Sequence, residues 1–206
     1  MKLIYVMDPL CGWCYGNSIN TQKLYSEFES KIEFEILPAG MWTGNQAKRQ
    51  NKNMVSFFEK GDKQIEQYTG TPFGEAYFEF LKNETIILDS EIPSRAIVSV
   101  KNIAPQKAIP FALEVQKARY MFGKDLNNVQ TYVSICETLS IDATVFLKTF
   151  SSEEIKKQTQ ESFTKATKYA SSYPTLLLEK DGELFVVEQG YAPFSKIVET
   201  INQIIK

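Results

Sequence analysis

Leu3 to Met7 form an unbroken apolar run that stops at Asp8-Pro9, the pattern of a short strand buried on both faces at the centre of a sheet. From Cys14 to about Ser30 the period turns helical, with Ile19, Leu24, Tyr25 and Phe28 roughly on one side. Ile32, Phe34 and Ile36 then alternate with Glu33 and Glu35 before Pro38, which predicts a second strand with one wet face, near a sheet edge. Together these make a β-α-β unit with a right-handed crossover. At the other end of the chain, Thr175 to Glu179 and Leu184 to Val187 flank Lys180-Asp181-Gly182-Glu183. An Asp-Gly pair between apolar runs predicts a hairpin, because both central positions need positive φ. After Pro193, the residues Phe194, Ile197, Val198, Ile201, Ile204 and Ile205 trace one face of an amphipathic helix.

Between Gly44 and Ser172 the punctuation is helical and no run alternates convincingly. Pro93 suits the start of a helix carrying Ile97, Val98 and Ile103, and a second runs from near Gln106 to Phe122, closed by Gly123. Val129, Tyr132, Val133, Cys136 and Leu139 make a third stripe. Ser151 with Glu154 reads as a capping box opening a helix with Ile155, Phe163, Ala166 and Ala170. Thr85 to Leu88 is a candidate short extended stretch. The expected organisation is therefore a sheet unit from residues 1–43 and 173–206, with residues 44–172 inserted as a helical subdomain docked on it.

Composition narrows the chemistry. The 206 residues suit one domain or a core with a large insertion, and 43% apolar with 13% aromatic residues is enough to fold. Lys+Arg 23 against Asp+Glu 25 lacks the basic excess of a nucleic-acid or anionic-membrane binder. There is no histidine, which removes Ser/His/Asp and Cys/His triads and imidazole acid-base catalysis. The opening apolar run is too short for a signal peptide or a membrane span, so the chain as given reads as cytoplasmic.

The three cysteines are Cys11, Cys14 and Cys136, and the first two form a Cys-x-x-Cys where a buried strand ends and a helix begins. Backbone N–H groups at that end favour a thiolate. Cys11 comes first and should lie at the exposed end as the attacking nucleophile. Cys14, a turn deeper, would be the resolving thiol. A zinc half-site and an inert pair are the alternatives, but zinc wants four ligands and only Cys136 and carboxylates remain. No metal and no bound cofactor is expected.

Leu3 to Met7, Asp8-Pro9-Leu10, Cys11-Gly12-Trp13-Cys14-Tyr15-Gly16, the long helical stretch and Tyr173-Pro174-Thr175 before a final hairpin and helix resemble the DsbA-like thioredoxin-fold oxidoreductases. The branch resembled most is the cytoplasmic FrnE-like disulfide isomerases. Thr69-Gly70, Phe73-Gly74, Asp89-Ser90, Ser94-Arg95-Ala96 and Gln116-Lys117-Ala118-Arg119-Tyr120 extend the likeness along nearly the whole chain. The resemblance implies an α/β thioredoxin-like fold with a large all-helical insertion. It also implies that Cys11 and Cys14 are a redox pair, and that Pro174 is a cis-proline against it. Tyr173 would then present its backbone to an extended substrate segment. Gly12-Trp13 replaces the Pro-His of the better-known DsbA pattern, so no imidazole supports a thiolate and a less oxidising couple is expected.

Asp8, three positions before Cys11, is a candidate for tuning thiol deprotonation, although Asx-turn chemistry before Pro9 explains it equally. Trp13, Met41 and Trp42 are candidate walls of an apolar substrate groove or members of the core. Cys136 reads as a buried small hydrophobe. Asn83-Glu84-Thr85 and Ser162-Phe163-Thr164-Lys165 spell motifs whose contexts are missing. The leading expectation is a thiol-disulfide oxidoreductase or protein disulfide isomerase acting on protein thiols, with glutathione or another redox partner. A glutathione-linked small-molecule transferase or isomerase, and a redox-gated binding module without turnover, are the alternatives.

Overall fold

The computed structural model describes residues 1–206. Its elements are β1 (Lys2–Met7), α1 (Gly12–Gly16), α2 (Ser18–Phe28), β2 (Glu33–Pro38), β3 (Lys48–Arg49), α3 (Lys52–Thr69), α4 (Glu75–Phe80), β4 (Ile87–Leu88) and α5 (Glu91–Ile103). There follow α6 (Ala108–Tyr120), α7 (Val129–Thr138), α8 (Ala143–Phe150), α9 (Glu153–Tyr169), β5 (Thr175–Lys180), β6 (Glu183–Gln189) and α10 (Phe194–Ile205). The main sheet has the order β2-β1-β5-β6, with β1 parallel to β2 and antiparallel to β5. β1 is thus internal, and its period-two alternation feeds two cores. Leu3, Tyr5 and Met7 join the large core with Ile97, Phe111, Val115 and Ile197, while Ile4 and Val6 pack with Leu37, Ala166 and Leu177 on the opposite face. Helices α5 to α8 contribute to the same large core as the sheet.

The chain is α/β, with helices packed on both faces of a mixed four-stranded sheet, and the hairpin and last helix form where the patterning places them. Asp181 and Gly182 both have positive φ, 54° and 84°. Elsewhere the structure corrects the reading. The single helix expected from Cys14 to about Ser30 is two helices that begin at Gly12 and change over at Asn17. Ile19 is exposed, and the buried face of α2 begins instead with Asn20 and Thr21. The capping serine of α9 is Ser152, whose hydroxyl accepts the Ile155 N–H; Ser151 ends α8, which Asp142 caps at its start. The helical stretch also holds one two-residue ladder, β3 with β4, of which only the β4 side was foreseen.

The expected wet face of β2 fails at Glu35. This carboxylate is covered, and its Oε1 accepts Lys101 Nζ at 2.8 Å and Lys165 Nζ at 3.0 Å, with Lys2 Nζ 3.4 Å from Oε2. One acid therefore joins β1, β2, α5 and α9. Burial opposes its ionisation, yet Lys101 and Lys165 outweigh that and hold it at about 2. Because the folded value is below the ordinary 4.5, its contribution is present above pH 4.5 and is lost as pH falls through about 2. Glu35→Gln should cost about 1–2 kcal/mol in urea unfolding at pH 7, a figure already reduced for the partly exposed lysines. The gap to wild type should close between pH 4.5 and 2, and a cost that does not change with pH would refute the clamp.

Candidate redox site

At the end of β1 the chain must leave the sheet and start a helix, and Asp8 organises that exit. Its carboxylate is fully buried. Oδ1 accepts the Leu10 N–H at 2.8 Å, closing an Asx turn, and the Ser90 hydroxyl at 3.0 Å; Oδ2 accepts the Met41 N–H at 2.7 Å. Ser90 in turn donates its N–H to the Trp42 carbonyl and accepts the Trp42 N–H on its hydroxyl oxygen. Asp8 thus ties the end of β1 to the segment after β2 and to the start of α5. Burial pushes its carboxyl up to about 6, against the pull of these three hydrogen bonds. The turn explanation and the proximity to the thiols both hold for this residue.

The turn delivers Cys11 to the N-cap of α1 with extended dihedrals, and its N–H donates to the Asp8 carbonyl at 3.1 Å. Cys11 Sγ accepts the Cys14 N–H at 3.4 Å, so the sulfur caps the helix as a Ser or Asp oxygen would. On its other side the Cys11 thiol lies 3.6 Å from the Tyr173 carbonyl, to which it donates. Cys11 is 8% exposed and Cys14 not at all, which keeps the expected order but corrects the expectation that Cys11 stands open. All three cysteines are free thiols. Burial, and then the neighbouring Cys11, push the Cys14 thiol well above the usual range. The helix that Cys11 caps is only five residues long.

The Tyr173–Pro174 peptide is cis, and the Pro174 carbonyl accepts the Gly190 N–H. The Tyr173 N–H has no acceptor within the chain. Trp13 is 37% exposed, with its ring centroid 6.3 Å from that of Tyr68 on α3. Trp42 is half-buried against Phe58 on the same helix, with Lys48 Nζ 5.1 Å over its ring. Tyr68 and Phe58 lie about 15 Å apart along the axis of α3 at 1.5 Å per residue, so the two tryptophans meet different turns of that helix. Met41 packs against the large core. Cys136 is buried in α7, where burial pushes its thiol up to about 11. A cavity of 540 Å³ between α2 and α6 is lined by Tyr15 but by neither Cys11 nor Cys14.

Three polar residues of the neighbourhood escaped the sequence reading. Ser90 gave no signal beyond its place in a motif. Glu188 is buried because a bulge at Leu176/Leu177 turns it inward, where it accepts Asn17 Nδ2 at 2.8 Å and the Ala192 N–H at 3.0 Å; burial pushes its carboxyl up to about 7. Asp62 was the legible one, a charge falling in step with Met54, Phe58 and Ile65 on the inner stripe of α3. No cluster of His, Cys, Asp or Glu is arranged to hold a metal, and no helix is long and apolar enough to cross a membrane.

A buried internal strand, a four-stranded mixed sheet, a thiol-capped helix and a cis-proline facing it define a thioredoxin fold of the DsbA-like class. Its structural neighbours include DsbA-like oxidoreductases. The chain is similar over 99% of its length to 97% of a candidate protein disulfide isomerase from Nitrosomonas europaea, at 25% identity and a TM-score of 0.88. It is similar over its whole length to all of the cytosolic disulfide reductase DsbM from Pseudomonas aeruginosa, solved with GSH, at 23% identity and a TM-score of 0.82. A 2-hydroxychromene-2-carboxylate isomerase matches at 13% identity and a TM-score of 0.65, over 99% of this chain and 94% of that one. No protein-family model and no curated protein matches the chain.

The site's close packing is testable at the glycine of the motif. A Cβ at position 12 would stand 2.6 Å from Asp62 Oδ1 and 3.1 Å from Ile65 Cδ1. Gly12→Ala should therefore lower stability by about 1–3 kcal/mol, the usual cost of overpacking. A melting temperature equal to wild type would show that α3 yields freely.

Proposed function

We propose that the protein is a thiol-disulfide oxidoreductase, working as reductase or isomerase on protein disulfides through Cys11 and Cys14. The observation that carries this reading is Cys11 Sγ, held between the Cys14 N–H and the Tyr173 carbonyl. The Cys11 thiolate attacks a substrate disulfide, forming a mixed disulfide and releasing one substrate thiolate. Cys14, once deprotonated, attacks Cys11 Sγ; the Cys11–Cys14 disulfide forms and the second substrate thiolate leaves with the electron pair. The elevated Cys14 thiol needs a proton acceptor, and Asp8, within electrostatic reach and titrating at about 6, suits that role. A thiol reductant such as glutathione returns the pair to the dithiol. The free Tyr173 N–H supports docking of an extended substrate segment beside Pro174, with Trp13 and Trp42 at separate points of the approach.

Residues 44–172 serve in this reading as an inserted subdomain whose α3 overlies the site, and the working compartment is a reducing cytoplasm. The presence of Cys14 favours disulfide exchange over a transferase or isomerase of small molecules, which needs one activated nucleophile. Turnover separates it from a redox-gated binding module.

Cys14→Ser should accumulate mixed disulfides with a disulfide-bonded protein substrate on non-reducing gels, because the resolving thiol is gone. Cys11→Ser should accumulate none and lose dithiol turnover. Equal trapping by the two variants would remove the two-step mechanism.

Cys136→Ala tests the structural assignment of the third thiol. It should cost about 1 kcal/mol through a small cavity and leave turnover intact. Loss of turnover with the fold retained would make Cys136 a redox thiol.

A further inference from the structure

The glycine of Cys11-Gly12-Trp13-Cys14 makes room for a carboxylate. Asp62 Oδ1 occupies the space where a Cβ of residue 12 would project, and Asp62 Oδ2 accepts the Tyr77 hydroxyl at 2.7 Å. Asp62 is 5% exposed, in the middle of α3. With a Cα–Cα step of about 3.8 Å and a Cβ bond beyond it, Oδ1 lies within about 8 Å of the Cys11 Cα. From α4 it faces Tyr77, and from α6 Arg119 and Tyr120; Glu59, Lys63 and Glu66 are its neighbours on α3. Arg119 is itself buried, with its guanidinium 5.6 Å from the Tyr77 ring centre, one hydrogen bond to Gln50 and an unpartnered Nε. Two other buried acids belong to the neighbourhood, Asp8 on the β1 side and Glu188 on β6.

We propose that Asp62 is a positioning residue that sets the redox poise of the Cys11–Cys14 couple, its negative charge opposing a thiolate at Cys11 and so making the pair a better reductant. This rests on the thiol-disulfide reading above. A thiolate on Cys11 stabilises the reduced form and makes a couple more oxidising. A carboxylate against the first turn of α1 acts in the opposite sense, and Gly12 is the residue that admits it. If Asp62 is neutralised, Arg119 is left as an uncompensated cation, which moves the couple the same way. Asn at this position keeps an oxygen for the Tyr77 hydroxyl, so the packing role survives while the charge is lost. Burial pushes the Asp62 carboxyl up to about 6, so its charge is present at pH 7.5 and mostly gone at pH 5.

The test is equilibration of wild type, Asp62→Asn and Tyr77→Phe with glutathione and its disulfide from pH 5 to 8, reading protein dithiol against disulfide by alkylation and mass. In this exchange the dithiol gives two electrons and two protons to glutathione disulfide, yielding two glutathione thiols and the Cys11–Cys14 disulfide. At pH 7.5 the Asp62→Asn equilibrium should lie about two- to thirtyfold further toward the dithiol than wild type, from a unit charge within about 8 Å of the Cys11 Cα. A tenfold change is about 30 mV for this couple. The two curves should meet at pH 5. Tyr77→Phe removes the donor that helps ionise Asp62, so it should depart from wild type between pH 6 and 7 and rejoin it at pH 8. Coincidence of Asp62→Asn with wild type at pH 7.5, or a gap that persists at pH 5, overturns the assignment. A wild type with no dithiol-disulfide equilibrium overturns the functional reading itself, and this inference with it.

Discussion

The three hydrogen bonds accepted by the Asp8 carboxylate are the constraint on which the site depends. They fix where β1 lets go of the sheet, and through Met41 and Ser90 they hold the segment after β2 and the start of α5 at the same point. The position of Cys11 follows, since its N–H bonds to the Asp8 carbonyl and its sulfur closes the first turn of α1. An ionised carboxyl in this place is disfavoured by burial, and Asp8 titrates at about 6 instead of near 3.8. The folded value being the higher one, Asp8 withholds stability as pH rises through that window. A group that costs stability and orders three segments beside two thiols fits selection for geometry rather than for strength.

How much of this could be read from the chain depends on what kind of signal each residue left. β1 was legible because an internal strand needs apolar residues on both faces, and Leu3 to Met7 supply them to two separate cores. The hairpin was legible because Asp181 and Gly182 carry their backbone requirement in their identity. The break between α1 and α2 was not. It falls at Gly16 and Asn17, where a Cβ on Gly16 would lie 2.4 Å from Ile65 and Asn17 is drawn to Glu188, both partners distant in sequence. Glu188 lies one residue past the run Leu184 to Val187 that marks this strand, and a bulge in β5–β6 pairing turns it inward. Glu35 failed for the same reason, since its cations come from the first strand and from two helices of the intervening stretch.

The resemblance motifs of the helical stretch acquire physical content in the structure. Gly74 lets the Met121 carbonyl approach to 1.9 Å of where a Cβ would stand, which joins the start of α4 to the end of α6. Arg119 and Tyr120, from the same quoted run, face Tyr77, and Tyr120 stacks on Tyr15 directly after Cys14. The glycine, arginine and tyrosine of these motifs therefore bring α3, α4 and α6 against the back of α1. Packing of this kind converts a distant helix into part of the electrostatic surroundings of the thiols.

The acids of this protein then divide by what surrounds them. Glu35 has three lysines within reach and is held at about 2, so it strengthens the junction of sheet and helices at any ordinary pH. Asp8 and Glu188 are buried with neutral donors only, and Asp62 with Tyr77 and a single arginine; all three are raised, to about 6, 7 and 6. A structural role would be met better by the first arrangement, and the sequence contains enough lysine to supply it. Placing cations beside Asp8 or Asp62 would, however, also place them beside Cys11 and stabilise its thiolate, moving the couple toward the oxidising side. The shortage of positive charge around these buried acids is thus the same feature as the absence of an imidazole between Cys11 and Cys14. On the proposed thiol-disulfide reading, both leave a thiolate at Cys11 with little positive charge beside it, a condition that makes a Cys-x-x-Cys a better electron donor.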